Sequence, residues 1–357
     1  MDERNGAQAP RSTTRRGSRF WLFAPFVAVA LVIVGWSVAW FLIRDRVAAE
    51  LDAALGVQAT LGRSWTCADR SIAGFPFRVE ISCATLRLRA EDGLALDLGP
   101  AQAVAQVYQP RHVIVNLSGP LLVDTPDGAI SADWTSMEAS IRNLGRGTEQ
   151  LAFVVEGASA MIDADALPTS IEAAAARVSL YARPSPGTIR ADGALDLVVQ
   201  AQALTAPALD AYLGAAAPAD LEAQLRATGL GAALAARGDP RAAAQAWRAA
   251  GGVLDIELFS VETSAAALSV SGALGLDALS RPEGRIEASG RGLGPIVREA
   301  LGGRGGFMAD AVIAALGGAS DPSQQDGALR PLPPVRLQDG RVFVGPLPAP
   351  ITLKPLF

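Results

Sequence analysis

The stretch at residues 77–98, FRVEISCATLRLRAEDGLALDL, decides the fold. In its first part Phe77, Val79, Ile81 and Cys83 alternate with Arg78, Glu80 and Ser82. A period of two sends the apolar set to one face of a strand and the polar set to the other. The strand follows Pro76, placed where no ladder N–H is required. In its second part Leu86, Leu88 and Ala90 are separated from Leu94, Leu96 and Leu98 by Glu91-Asp92-Gly93. A three-residue loop with glycine in the left-handed position joins such strands into a hairpin, pairs the leucine sets and puts Arg87 opposite Asp97.

The same style continues toward the C-terminus. Short segments rich in leucine, valine and small residues, at 112–117, 129–141, 151–156, 178–182 and 193–203, read as a β-rich meander broken by glycine, proline and aspartate. Alanine- and leucine-rich stretches at 206–213 and 219–236 read as helices, the second broken at Gly229 and Gly231. Asp239-Pro240 caps a further helix that carries Trp247 and ends at Gly251-Gly252. Strands resume at 252–261, 266–276 and 284–289. Short helices are expected at 295–301 and 307–316, each ending at a glycine pair, and 319–334 reads as a linker. Asp339-Gly340 then closes a hairpin that pairs Leu337 with Val342 and Val335 with Val344. The fold class is mainly β with α insertions (α+β), an antiparallel meander with a helical insertion at about 206–250.

Before the meander, no charged residue interrupts the chain between Arg19 and Arg44. A helix over 20–43 is roughly 36 Å long, enough for a hydrocarbon core of about 30 Å. Five arginines, Arg4, Arg11, Arg15, Arg16 and Arg19, precede it, and only Arg44 and Arg46 follow closely. That bias keeps the N-terminus cytoplasmic. The apolar run is too long for a cleaved signal peptide, so it reads as a retained signal anchor in a bacterial inner membrane, with the C-terminal domain periplasmic. Residues 1–19 read as disordered, 44–63 as a helical stem with Val47, Leu51 and Leu55 on one face, and 64–357 as the β-rich domain.

Composition excludes more than it selects. The formal net charge is −5 and half the residues are apolar, so no basic surface advertises nucleic acid. Cys67 and Cys83, the only cysteines, read as a disulfide in an oxidising compartment, the alternative being two small buried thiols. His112 is the single histidine, and G-x-S-x-G, H-E-x-x-H and phosphate-loop motifs are missing, so an enzyme is not expected; no cofactor or metal site is called for. Asp163 and Asp165 have the spacing of a ligand pair but read as a solvated turn. Trp65, Phe75 and Phe77 line either an apolar binding site or the small core of a cysteine-closed loop.

Trp65-Thr66-Cys67, Gly74-Phe75-Pro76-Phe77, Cys83, the run from Trp247 to Gly252, and Asp339-Gly340-Arg341-Val342 with Gly345-Pro346 together resemble an uncharacterised family of single-span alphaproteobacterial envelope proteins. That family in turn resembles the AsmA-like proteins. The resemblance implies a curved, largely antiparallel sheet with an apolar inner face, and a role in phospholipid movement and envelope homeostasis. The expected function is therefore binding or moving lipid, or another apolar envelope component, along a β-groove. The expected partners are the inner-membrane bilayer, phospholipid and envelope proteins. The alternative is a non-enzymatic assembly factor that docks an envelope protein.

Overall fold

The structure is a computed structural model that describes residues 20–144, 149–165, 169–186, 193–207, 218–235, 240–293 and 328–356. It opens on a single helix, α1 (Phe20–Thr60), in which the apolar run continues without a break into the stem. The helix is long and apolar enough to cross a membrane. Past Ile43 it becomes charged, with an exposed Arg46–Glu50 pair at 2.8 Å, while Val47, Leu51 and Leu55 are half-buried where the stem runs beside the first strand. Gly62, at φ +73°, turns the chain back down the helix.

From there the chain builds one open, curved antiparallel sheet. Its first ten strands are β1 (Arg63–Ala68), β2 (Ser71–Ala73), β3 (Arg78–Cys83), β4 (Thr85–Ala90), β5 (Ala95–Leu98), β6 (Ala101–Gln106), β7 (Gln109–Leu117), β8 (Leu121–Thr125), β9 (Gly128–Asp133) and β10 (Ser136–Arg142). Taken two at a time, they are the halves of five long strands broken along a transverse crease. β1 pairs with β4, β4 with β5, β5 with β8 and β8 with β9, forming the far half. The near half is β2 with β3, β3 with β6, β6 with β7 and β7 with β10. β11 (Gln150–Ala164) spans the crease, pairing with β10 through its first part and with β9 through its last.

The ladder is carried through the crease by the hydrogen bonds Ala84 N–Ala68 O (2.9 Å), Ser118 N–Pro100 O (2.8 Å) and Gly99 N–Pro120 O (3.1 Å). Gly99 is needed there, because a Cβ would lie 2.5 Å from the Gly119 carbonyl oxygen. Beyond β11 the strands follow in chain order: β12 (Ile171–Pro184), β13 (Leu195–Leu204), β14 (Ala219–Ala227), β15 (Leu254–Glu262), β16 (Ala267–Leu276) and β17 (Pro282–Arg291). The sheet ends with β18 (Arg330–Pro331), β19 (Val335–Gln338), β20 (Arg341–Val344) and β21 (Leu347–Thr352). Irregular registers between β13, β14, β15 and β16 bend it further.

Both hairpins expected from the sequence have the expected register. Leu88 lies opposite Leu96 and Arg87 opposite Asp97, with Gly93 at φ +89° in the loop. Leu337 lies opposite Val342 and Val335 opposite Val344. Asp339 and Gly340, both at positive φ, make the mirror-image turn that suits a two-residue connection.

Three expectations need correction. The helix expected at 219–236 is the strand β14 followed by a short helix, α2 (Leu230–Ala235). Ala219, Leu221, Ala223, Leu225 and Ala227 alternate there with Asp220, Glu222, Gln224 and Arg226, and this period of two outweighs the helix propensity of alanine and leucine. The strand expected at 129–141 is two, β9 and β10, because Trp134-Thr135 falls on the crease. The segment at 151–156 is only the first half of the long β11. The helix carrying Trp247 is α3 (Pro240–Ala249); the helices expected at 206–213, 295–301 and 307–316 lie wholly or mostly outside the described residues.

Candidate functional site

Cross-strand partners share a face of the sheet. Following the register therefore traces rows of side chains across it. One row runs Ile72, Ile81, Ala103, Val115, Ala139 and Phe153, from β2 to β11. It continues through Leu180, Val199, Ala223, Phe259, Val270 and Ala288 to β17. Every member is apolar over twelve strands, and at about 4.8 Å per strand the row is roughly 50 Å long. Of the twelve only Ala223 is buried; the rest are half-buried, so the described elements leave part of each of these side chains open. Among the described residues no large apolar side chain is wholly enclosed.

The neighbouring row, on the opposite face, is its polar counterpart. It runs Ser82, Gln102, Asn116 and Glu138, and after Val154 resumes as Ser179, Gln200, Glu222, Ser260, Ser269 and Ser289. Its members bond along the row, Ser179 Oγ to Gln200 at 3.2 Å and Gln200 Nε2 to Glu222 at 3.4 Å. The strands thus present a two-faced surface, one face polar and hydrogen-bonded in part along its row, the other apolar and partly open.

A hollow of about 650 Å³ on the polar face is lined by Arg142, Tyr181, Arg183, Asp196 and Arg226 among others. Most of its charges are spent on each other. Arg226 Nε donates to Asp196 at 2.9 Å, Ser185 Oγ donates to Asp196 at 2.6 Å, and Arg226 also pairs with Glu257 at 3.1 Å. Burial pushes the Asp196 carboxyl up, but the Ser185 hydroxyl and the Arg226 and Arg183 guanidinium groups outweigh it and hold the group below the usual carboxylate range. The arrangement is a structural ion-pair network.

Cys67 and Cys83 form a disulfide with Cα atoms 5.2 Å apart. Cys67 belongs to the apolar set of the far half, next to Trp65 and opposite Leu86, and Cys83 to that of the near half, with Val79 and Ile81. A bond between them requires the two apolar sets to meet on one side at the crease.

Trp65, Phe75 and Phe77 are divided by the structure. Trp65 lies opposite Leu88 in the far half, whereas Phe75 and Phe77, in the turn after β2, lie against α1. The Trp36 Nε1–H donates to the Pro76 carbonyl at 2.9 Å and the Trp40 Nε1–H to the Arg78 carbonyl at 3.0 Å. Phe77 meets the Trp36 ring at 6.1 Å, and Phe75 meets Trp40 edge-on at 5.5 Å and Phe41 at 6.4 Å. Trp40 is buried, at 4 % exposed. The sequence signal for this clamp is the i, i+4 spacing of Trp36 and Trp40, which places both indoles on one face of the helix. The Asp52–Arg70 ion pair at 2.6 Å ties the stem to the turn between β1 and β2.

His112 sits with Nε2 2.9 Å from Ser140 Oγ, and among the described residues its ring has no carboxylate partner. Asp163 and Asp165 lie at the far end of β11, and no cluster of three metal-ligating side chains occurs among the described residues.

The family model described as "Uncharacterized protein conserved in bacteria (DUF2125)" matches residues 40–351. The matched region begins at Trp40 and takes in the turn that this residue holds. A search of curated proteins and a search of solved structures each find no match.

Proposed function

We propose that this chain, which belongs to the DUF2125 family of uncharacterised bacterial proteins, is a membrane-anchored protein that binds the acyl chains of lipid, or a molecule of like chemistry, along the apolar row of its sheet. The observation that carries the reading is the row itself, apolar in each of the twelve strands it crosses from Ile72 to Ala288 and half-buried, with part of its surface open, almost throughout. Soluble monomers rarely leave a contiguous apolar patch larger than a few hundred Å² in water. Covering such a surface returns about 25 cal/mol for each Å² removed from water, which favours a flexible hydrocarbon occupant and needs no catalytic group.

The same proposal sets the N-terminus in the cytoplasm and the sheet in the periplasm of the inner membrane. The arginine excess before the span supports this orientation, and the disulfide suits an oxidising compartment. The reading is of a binding protein.

Native mass spectrometry of the full-length protein released from mild detergent tests it. Phospholipid retained in stoichiometric adducts is the expected result. Protein released without lipid, with a second polypeptide bound instead, would overturn it in favour of the docking role.

A further inference from the structure

The turn between β2 and β3 is built for a membrane. Trp36 and Trp40 lie eight and four residues before Arg44, the first charge after the apolar run, so the carbonyls they hold sit roughly 12 and 6 Å on the membrane side of it. From Ser71 to Phe77 the chain carries no charge. Water thins out from the headgroup layer toward the hydrocarbon, and a backbone carbonyl left bare on the hydrocarbon side costs several kcal/mol. Four of the turn's carbonyls are met from within. The Pro76 and Arg78 carbonyls take the two indole N–H groups, the Gly74 carbonyl takes Arg78 N–H and the Phe77 carbonyl takes Val107 N–H. The last bond brings the β6–β7 turn alongside. Phe75, Phe77 and Tyr108 are nonetheless 51 %, 60 % and 69 % exposed, an apolar and aromatic edge that the described residues leave largely uncovered.

Charge sorts the two ends of the strands in the same sense. Behind the near tips stand Arg78, Arg111 and Arg142 with Glu149, and the far tips carry Glu91, Asp92, Asp127, Asp163 and Asp165 with Arg63, so the named charges sum to positive at the near end and negative at the far end. Tyr108, Arg111, His112 and Arg142 border one hollow at the near end. Aromatic rings with arginine behind them are the composition of a bilayer's headgroup layer, where guanidinium groups pair with lipid phosphates; carboxylates are repelled from an anionic surface.

We propose that the β2–β3 and β6–β7 tips are seated in the interfacial layer of the bilayer, so that the sheet stands edge-on in the membrane and its apolar row begins within the lipid. The partner is the anionic phospholipid surface itself. The proposal rests on α1 crossing the membrane and not on the row carrying lipid, so either can fail alone.

The test uses full-length protein in nanodiscs of anionic phospholipid. Phe77→Cys, Tyr108→Cys and, at a far tip, Asp127→Cys are each labelled with an environment-sensitive fluorophore, the native cysteines being oxidised to each other. Blue-shifted emission that is quenched by nitroxide-bearing acyl chains is expected at positions 77 and 108, with aqueous, unquenched emission at 127. Among the described residues the Tyr108 side chain has no hydrogen-bond partner, so its replacement keeps the test valid if the Phe77 variant fails to fold. Aqueous emission without quenching at position 108 overturns the proposal.

Discussion

Replacing Trp40 by alanine is expected to release the β2–β3 turn from α1 without unfolding the sheet. In a soluble core, Trp→Ala costs about 3–5 kcal/mol, most of it from returning the site to water. Here the freed surface meets lipid, which is as apolar as the residues it replaces, so that contribution is close to nil. Two contributions remain. The hydrogen bond to the Arg78 carbonyl is 3.0 Å long and worth about 1 kcal/mol net, and the edge-on contact with Phe75 at 5.5 Å adds about 1 kcal/mol. The loss of about 2 kcal/mol corresponds to roughly a 30-fold fall in the ratio of docked to undocked turn. Hydrogen exchange in lipid nanodiscs reads this directly, because the Arg78 amide bonds to Gly74 and the Val107 amide to Phe77. Both amides should exchange roughly 30-fold faster in Trp40→Ala, and Trp40→Phe, which keeps a ring but no donor, should fall between. The Thr228 amide, bonded to Val253 far along the sheet, should be unaffected. Unchanged protection at Arg78 and Val107, or an equal loss at Thr228, would refute the reasoning.

Two further outcomes follow from other parts of the structure. Reducing the Cys67–Cys83 bridge, or replacing both cysteines by serine, should lower stability by about 3 kcal/mol on the loop-entropy model, read as a fall in the denaturant midpoint that added reductant does not deepen in the serine variant. Because Asp196 is held below the usual carboxylate range, its contribution is complete above about pH 4 and is lost as the pH falls through its lower folded value. Asp196→Asn should therefore flatten the acid limb of a plot of Tm against pH while leaving the slope near neutrality unchanged.

How much of this was legible in the sequence differs by element. Strands with polar residues at every second position, such as Arg78–Cys83, declared themselves, and so did hairpins whose turn residues fix the register, as Asp339-Gly340 does. β14 was hidden because alanine and leucine carry a helical propensity that masked a strict alternation. The crease was hidden too: Gly99-Pro100 and Gly119-Pro120 read as ordinary strand ends until the ladder was seen to continue past them. For the candidate site, the trio of aromatic residues after the anchor was visible, but its division was not. Whether Phe75 meets Trp65 or Trp40 depends on the chain folding back along α1, a long-range event with no local signature. The apolar row was legible only in fragments, since each strand contributes one residue and only the register of all twelve joins them.

The central claim is that the apolar row is occupied by lipid in the membrane, and cross-linking from within the row tests it most directly. A photoreactive phenylalanine analogue is placed at Phe153, Val199 or Phe259 on the apolar face, and at Gln200 or Glu138 on the polar face, in cells grown with radiolabelled phosphate. Illumination is expected to label the protein with phospholipid from the three row positions and from neither polar position. Equal labelling from both faces, or a protein adduct from the row with no lipid, would contradict the account.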